Sequence, residues 1–133
     1  MNQDEQLIGN NLIEEKISIM YKALTDENLF EVVKIIRKRI SVEGHFVVAV
    51  KATEGTNLSL RPVRDNNDKL WFTAFTSFDE ALKGKDPIVS GFTSDIKKLF
   101  EIARNSEEVD GVMLNPWGQA MRIDKNLIDI ILS

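Results

Sequence analysis

The sequence predicts an α+β domain: a single mixed β-sheet with an antiparallel meander and a hairpin, helices packed on it, and a helix pair at its N-terminal end. Three observations carry this. Apolar residues recur at helical spacing between Ile13 and Ile40, short β-branched and aromatic runs separated by turn residues fill 45–75, and strand-like and helix-like stretches alternate from Ser77 onward. The 133 residues are 43% hydrophobic and 29% charged, enough apolar material for one core and too much for a disordered chain.

Residues 1–10 read as a flexible lead-in and 11–133 as one domain. Ile13, Ile17, Met20 and Leu24 fall on one face of a first helix, and Thr25-Asp26 supplies a break and an N-cap for a second. Leu29, Val33, Ile36 and Ile40 form the stripe of that second helix, widened by Phe30 and Val32. Lys34, Arg37, Lys38 and Arg39 gather towards its end, where cations suit unpaired carbonyls. After Gly44, strands are expected over 45–50, 58–63 and 70–75, with turns at 54–57 and 65–68. Pro62 suits an edge or strand end. Ser77 and Glu80 have capping-box spacing and open a short helix over 78–83 that stops at Gly84. Ile88-Val89 reads as a short strand, Thr93 or Ser94 as the cap of a helix carrying Ile96, Leu99, Phe100 and Ala103, and 111–114 and 119–123 as two further strands. Asp124 caps a last helix with Leu127, Ile130 and Ile131. The passage from Ile88 to Leu114 has the form of a parallel crossover.

Chemistry is constrained mostly by what is missing. Without cysteine there is no thiol catalysis, zinc–thiolate site, iron–sulfur cluster or disulfide, which suits a reducing compartment. The polar, acidic start does not resemble a signal peptide, and no apolar run approaches the roughly 20 residues that cross a bilayer, so a cytoplasmic protein is expected. A net charge of −4 disfavours nucleic acid as a partner. His45, the lone histidine, has no nucleophile or metal-ligand partner at motif spacing. No phosphate-binding glycine motif occurs, and the Asp65–Asp68 run fails as a calcium loop, with Leu70 at its glycine position and Thr76 at its glutamate position.

Asn115-Pro116-Trp117-Gly118 is the segment that asks for explanation. Asn, Pro and Gly suit the first, second and fourth positions of a type I turn, with Gly118 left-handed to finish a bulged hairpin. The turn does not require Trp117, which either folds back onto the sheet or presents a rigid apolar face to a partner. Trp71, mid-strand, is expected in the core.

The order of Leu70-Trp71-Phe72-Thr73-Ala74-Phe75, Thr76-Ser77-Phe78-Asp79-Glu80 and Asp110-Gly111-Val112-Met113-Leu114-Asn115-Pro116-Trp117-Gly118 resembles the N-terminal domain of the SseB family, named for enhanced serine sensitivity. The resemblance spans roughly Phe46 to the C-terminus. The family's aromatic-Thr-Ser-x-x-Glu and hydrophobic-Asn-Pro marks fall on Phe75, Thr76, Ser77, Glu80, Asn115 and Pro116. It implies a bacterial protein that is not known as an enzyme. Many relatives carry a second, C-terminal domain, whereas this sequence stops at Ser133, and residues 11–40 exceed the family's usual N-terminal extent.

The expected function is therefore a non-enzymatic protein-interaction or regulatory module of the bacterial cytosol. Its site would comprise Ser77, Glu80, Asn115, Pro116, Trp117 and Gly118, with an unidentified protein partner and no catalytic residue, cofactor, metal, nucleic acid or membrane. If the Ser77 helix start lies beside the Asn115 turn, its amides would receive a carboxylate or a peptide carbonyl. Two alternatives stand beside this reading: a small-ligand binder or enzyme around His45 and dispersed carboxylates, and a homodimer through the N-terminal helices around Phe30 and Val32.

Overall fold

Apolar spacing builds the first two elements as expected. In the computed structural model, which describes residues 6–48, 50–52, 58–60, 62–84 and 92–133, α1 spans Asn11–Lys22 and α2 spans Asp26–Ser41. Ile13, Ile17 and Met20 of α1 and Val32, Val33 and Ile36 of α2 are buried. Thr25 Oγ1 accepts the Asn28 amide at 3.1 Å and starts α2. Leu24 does not continue the α1 stripe: the helix stops at Lys22, and Leu24 in the connection is 81% exposed. The two arginines of the basic cluster make tertiary contacts: Arg37 Nη1 donates to the Ile130 carbonyl at 3.1 Å and Arg39 reaches the residues before α1, while Lys34 pairs with Glu31 within α2.

The strands are β1 (His45–Val48), β2 (Val50–Ala52), β3 (Leu58–Leu60), β4 (Pro62–Arg64), β5 (Leu70–Phe75), β6 (Phe92–Asp95), β7 (Gly111–Leu114) and β8 (Met121–Asp124). A mixed six-stranded sheet runs β6-β1-β5-β7-β8, with β4 also paired to β5. Both expected meander pairings occur, but each in half a strand. β2 pairs β3 in a separate two-stranded sheet, while β4 pairs the first half of β5 and β1 pairs its last two residues directly. Phe72 is opposite Val112 on one side and Pro62 on the other, and Ala74 opposite Leu114 and Val48. β1 and β4 therefore lie end to end along one edge of β5, and β2–β3 branches off between them. Trp71 is buried as expected, and its indole donates to Asp65 Oδ2 at 2.9 Å.

The remaining helices are α3 (Phe78–Ala81), α4 (Ile96–Asn105) and α5 (Lys125–Leu132). The expected Ile88-Val89 strand lies outside the described residues. The strand before α4 is β6, which runs through Thr93 and Ser94 to Asp95, so its last residue, Asp95, caps α4 instead, accepting the Lys98 amide at 3.1 Å. β6 and β7 run in the same direction, as a crossover requires, but β1 and β5 lie between them. The parallel partner of β7 is β5. In α5 the buried pair is Ile128 and Ile131, with Ile130 half exposed.

Alternation along the strands sorts the core into two layers. Phe46, Val48, Phe72, Ala74, Val112, Leu114, Met121 and Ile123 face α1, α2, α4 and α5 in the main core. Val47 and Phe75 point the other way and pack with Leu7, Ala81 and Phe78. Leu7 and Asn10, within the stretch read as lead-in, are both buried.

Gly111 has φ +156°, and a Cβ there would lie 2.1 Å from the Ile123 carbonyl oxygen on β8. We expect Gly111→Ala to destabilise the fold by about 3 kcal/mol or more, because the obstacle is backbone and cannot rotate away. A urea midpoint within experimental error of wild type would contradict that packing.

At the start of β5, Asp65 Oδ1 accepts the amides of Asn67 (2.8 Å) and Lys69 (3.0 Å), and Arg122 lies 3.5 Å from Oδ2. The Lys69 amide, then the Trp71 indole, the Asn67 amide and Arg122, hold its carboxyl below the usual range against the opposing effect of desolvation. A lowered folded pKa stabilises the protein above the unfolded carboxylate value of about 3.9 and loses that stabilisation as pH falls through the folded value. Unfolding titrations of wild type and Asp65→Asn should therefore differ at neutral pH and converge as pH falls through the lowered folded value. A gap independent of pH would remove the charge from this account.

Candidate functional site

β5 and β7 are parallel and end side by side, so the residues that follow them, Thr76 and Asn115, arrive together. Both are polar and nearly inaccessible, at 1% and 4% exposure, so each must find its partners within the protein. The Thr76 amide donates to Asn115 Oδ1 at 2.9 Å, Asn115 Nδ2 donates to Thr76 Oγ1 at 3.1 Å, and the Asn115 amide donates to the Ala74 carbonyl at 2.8 Å. The Thr76 hydroxyl in turn donates to the Glu14 carboxylate on α1. Asn10 precedes α1 without making a side-chain cap. Its amide nitrogen donates to the Thr76 carbonyl (3.0 Å) and the His45 carbonyl (2.8 Å), and its oxygen accepts Arg39 Nε at 2.9 Å. Burial pulls the Arg39 pKa down from its ordinary value.

The two sequence motifs are therefore neighbours. The Gly118 amide closes the turn on the Asn115 carbonyl at 3.1 Å, as the turn reading expects. The left-handed residue, however, is Asn115 (φ 52°), not Gly118. Asparagine tolerates that conformation better than most residues, and here it aims the side chain at Thr76. The capping box is half made. Ser77 Oγ accepts the Glu80 amide at 3.2 Å, while the Glu80 carboxylate turns to Lys83 Nζ at 2.5 Å. That hydrogen bond raises the Lys83 pKa above its ordinary value. Glu80 Oε1 is buried without a hydrogen-bond partner among the described residues, beside Gly118, where a Cβ would come within 2.7 Å of it. Both readings of Trp117 hold in part: the ring packs on Gly84 and lies 6.5 Å from the Phe75 ring, yet remains 40% exposed.

Two clefts flank this junction and share Glu14. The larger, about 500 Å³, is lined by Leu7, Ile8, Glu14, Thr76, Phe78 and Asp79, among others. The second, about 350 Å³, brings Glu14, Ser18, Glu80, Lys83, Asn115 and Gln119 together. Ser18 Oγ donates to Gln119 at 2.5 Å and the Tyr21 hydroxyl to the Ala120 carbonyl at 2.6 Å, tying α1 to the segment that leads into β8. Pro116 and Trp117 are absent from both linings, so the two clefts take in Ser77, Glu80, Asn115 and Gly118 of the expected site. The hydroxyl closest to a carboxylate, that of Thr76, is buried and held at both ends, which suits support better than nucleophilic attack.

The His45 carbonyl accepts Asn10 at this junction, but its imidazole lies elsewhere. Its Nδ1 is 3.1 Å from Thr93 Oγ1 between β1 and β6, and it lines neither of these two clefts. Among the described residues no group of three or more His, Asp or Glu side chains is placed to hold a metal ion. No described helix is long and apolar enough to cross a membrane. Of the two residues proposed for a dimer stripe, Val32 is buried in this chain's own core, while Phe30 is 56% exposed beneath the Lys34 ammonium.

No family model, curated protein or solved structure matches the chain. The site thus rests on its own geometry. Sequence reading missed Asn10 and Glu14 because both carry ordinary helix-start signals. Nothing local marks side chains whose partners lie 29 to 66 residues away.

Asn115→Ala should cost about 2–4 kcal/mol, since it strands buried groups on Thr76 and leaves alanine in the left-handed region. Asn115→Gly should recover about 1 kcal/mol of that by relieving the backbone alone. Equal unfolding midpoints for the two variants would show that φ contributes nothing.

Proposed function

We propose that this chain is a non-enzymatic protein-interaction module of the bacterial cytosol, of the kind its sequence resembles in the SseB N-terminal domain. The binding face in this reading is the paired cleft around Thr76 and Asn115, with Trp117 at its margin. One observation carries it: the two motif segments interlock in the interior, and around that rigid junction three separate elements, α1, α3 and the β7–β8 turn, leave an accessible groove rather than a sealed surface. Preorganised backbone is what an interaction surface needs to avoid a large ordering cost on binding. The half-exposed indole is the residue type most often found to anchor such surfaces.

Affinity capture with the wild-type protein beside Trp117→Ala and Ser77→Ala tests the reading, with thermal unfolding run in parallel. A partner retained by wild type should be lost or weakened about 30-fold by Trp117→Ala if the indole is an anchor worth about 2 kcal/mol. A partner that binds all three folded proteins equally would place the interaction elsewhere on the molecule.

A further inference from the structure

The chemistry of the groove says which kind of segment it takes. Among the described residues lining the larger cleft, the charged side chains are Glu14 and Asp79, both acidic, and the apolar walls are Leu7, Ile8 and Phe78. Ile8 is 68% exposed, an apolar side chain in water that a bound partner would cover. The adjoining cleft adds Glu80, and its one cation among the described lining residues, Lys83, is already paired with that carboxylate at 2.5 Å. The sequence reading expected helix-start amides at Ser77 to receive a carboxylate or a peptide carbonyl. α3 is a single turn, Ser77 already takes the Glu80 amide, and the neighbouring carboxylates repel an anion. Of the two expected ligands, the carboxylate is disfavoured here.

We propose, resting on the interaction-module reading, that the groove recognises a cationic, apolar peptide segment of a partner protein. A Leu, Ile, Met or Phe side chain of that segment packs against Ile8 and Phe78, and a neighbouring Lys or Arg lies against Glu14 and Asp79. Charge complementarity selects this occupant: an acidic or nucleic-acid ligand would bring like charges together, and a small polyamine would leave the apolar wall uncovered.

The test is selection from a random peptide library displayed on phage, with the whole chain as target. The enriched peptides are then synthesised and their affinity measured on wild type, Glu14→Gln and Asp79→Asn. Glutamine can still accept the Thr76 hydroxyl, and Asp79 is exposed, so both variants are expected to fold. The proposal expects Lys or Arg beside large apolar residues in the enriched pool. It also expects affinity to fall about two- to fivefold in each variant, and again between about 50 and about 300 mM salt. Enrichment of acidic or uncharged peptides, or basic peptides whose affinity both variants preserve, overturns the cationic assignment. If the affinity of those peptides still falls about 30-fold in Trp117→Ala, the interaction module survives. A library from which nothing is enriched, together with no partner captured by wild type, removes both.

Discussion

Everything at the candidate site hangs on a pair of reciprocal hydrogen bonds between Thr76 and Asn115, the first residues past two adjacent parallel strands. Parallel strands deliver their C-terminal ends to the same place, and the polar backbone that continues beyond them must be satisfied there or reach water. Here an asparagine in the left-handed region and a threonine satisfy each other. Asn10 and Glu14 then attach α1 to the same point, and Asn10 adds Arg39 from the end of α2. The ends of β5, β7 and α2, and the starts of α1 and β1, are fixed together by one small buried polar network. Such a network is worth more intact than in parts, because each lost partner leaves a buried group unpaired.

β5 makes this arrangement possible. It has β7 on one side, and on the other it is shared lengthwise between β1 and β4. Its Phe72 and Ala74 enter the main core while Phe75 enters the smaller layer beneath Leu7 and Ala81. The strand is therefore packed on both faces, and its end is correspondingly well defined. The groove at that end forms where the helices of the main core, α1 among them, and the short α3 of the opposite layer fail to meet.

The groove's electrostatic character follows from residues that serve the fold first. Glu14 receives the Thr76 hydroxyl, Glu80 holds Lys83, and Asp79 sits in the first turn of α3, where acidic residues are favoured. Each has a local reason to be acidic, yet together they line one cleft system beside exposed apolar side chains. A binding surface can thus arise from structural requirements that happen to share a sign, and its specificity then follows from that sign.

Local rules in the sequence determined the secondary structure of most described segments, the caps at Thr25, Ser77 and Asp124, the Asp65 turn and the alternation that divides the strands between two layers. Those features depend on residues within a few positions of one another, which is what periodicity and capping report. The sequence also pointed to the Ser77 and Asn115 segments, because their turn and cap signals left Trp117 unexplained. Tertiary structure alone decided that the two segments touch, that β5 pairs β7 in parallel, that Asp95 rather than Thr93 or Ser94 caps α4, and that Asn115 rather than Gly118 is left-handed. It also decided that Asn10 and Glu14 complete the site. Each of these follows from pairing or burial between residues far apart in the chain, and such partners leave no periodic trace in the sequence.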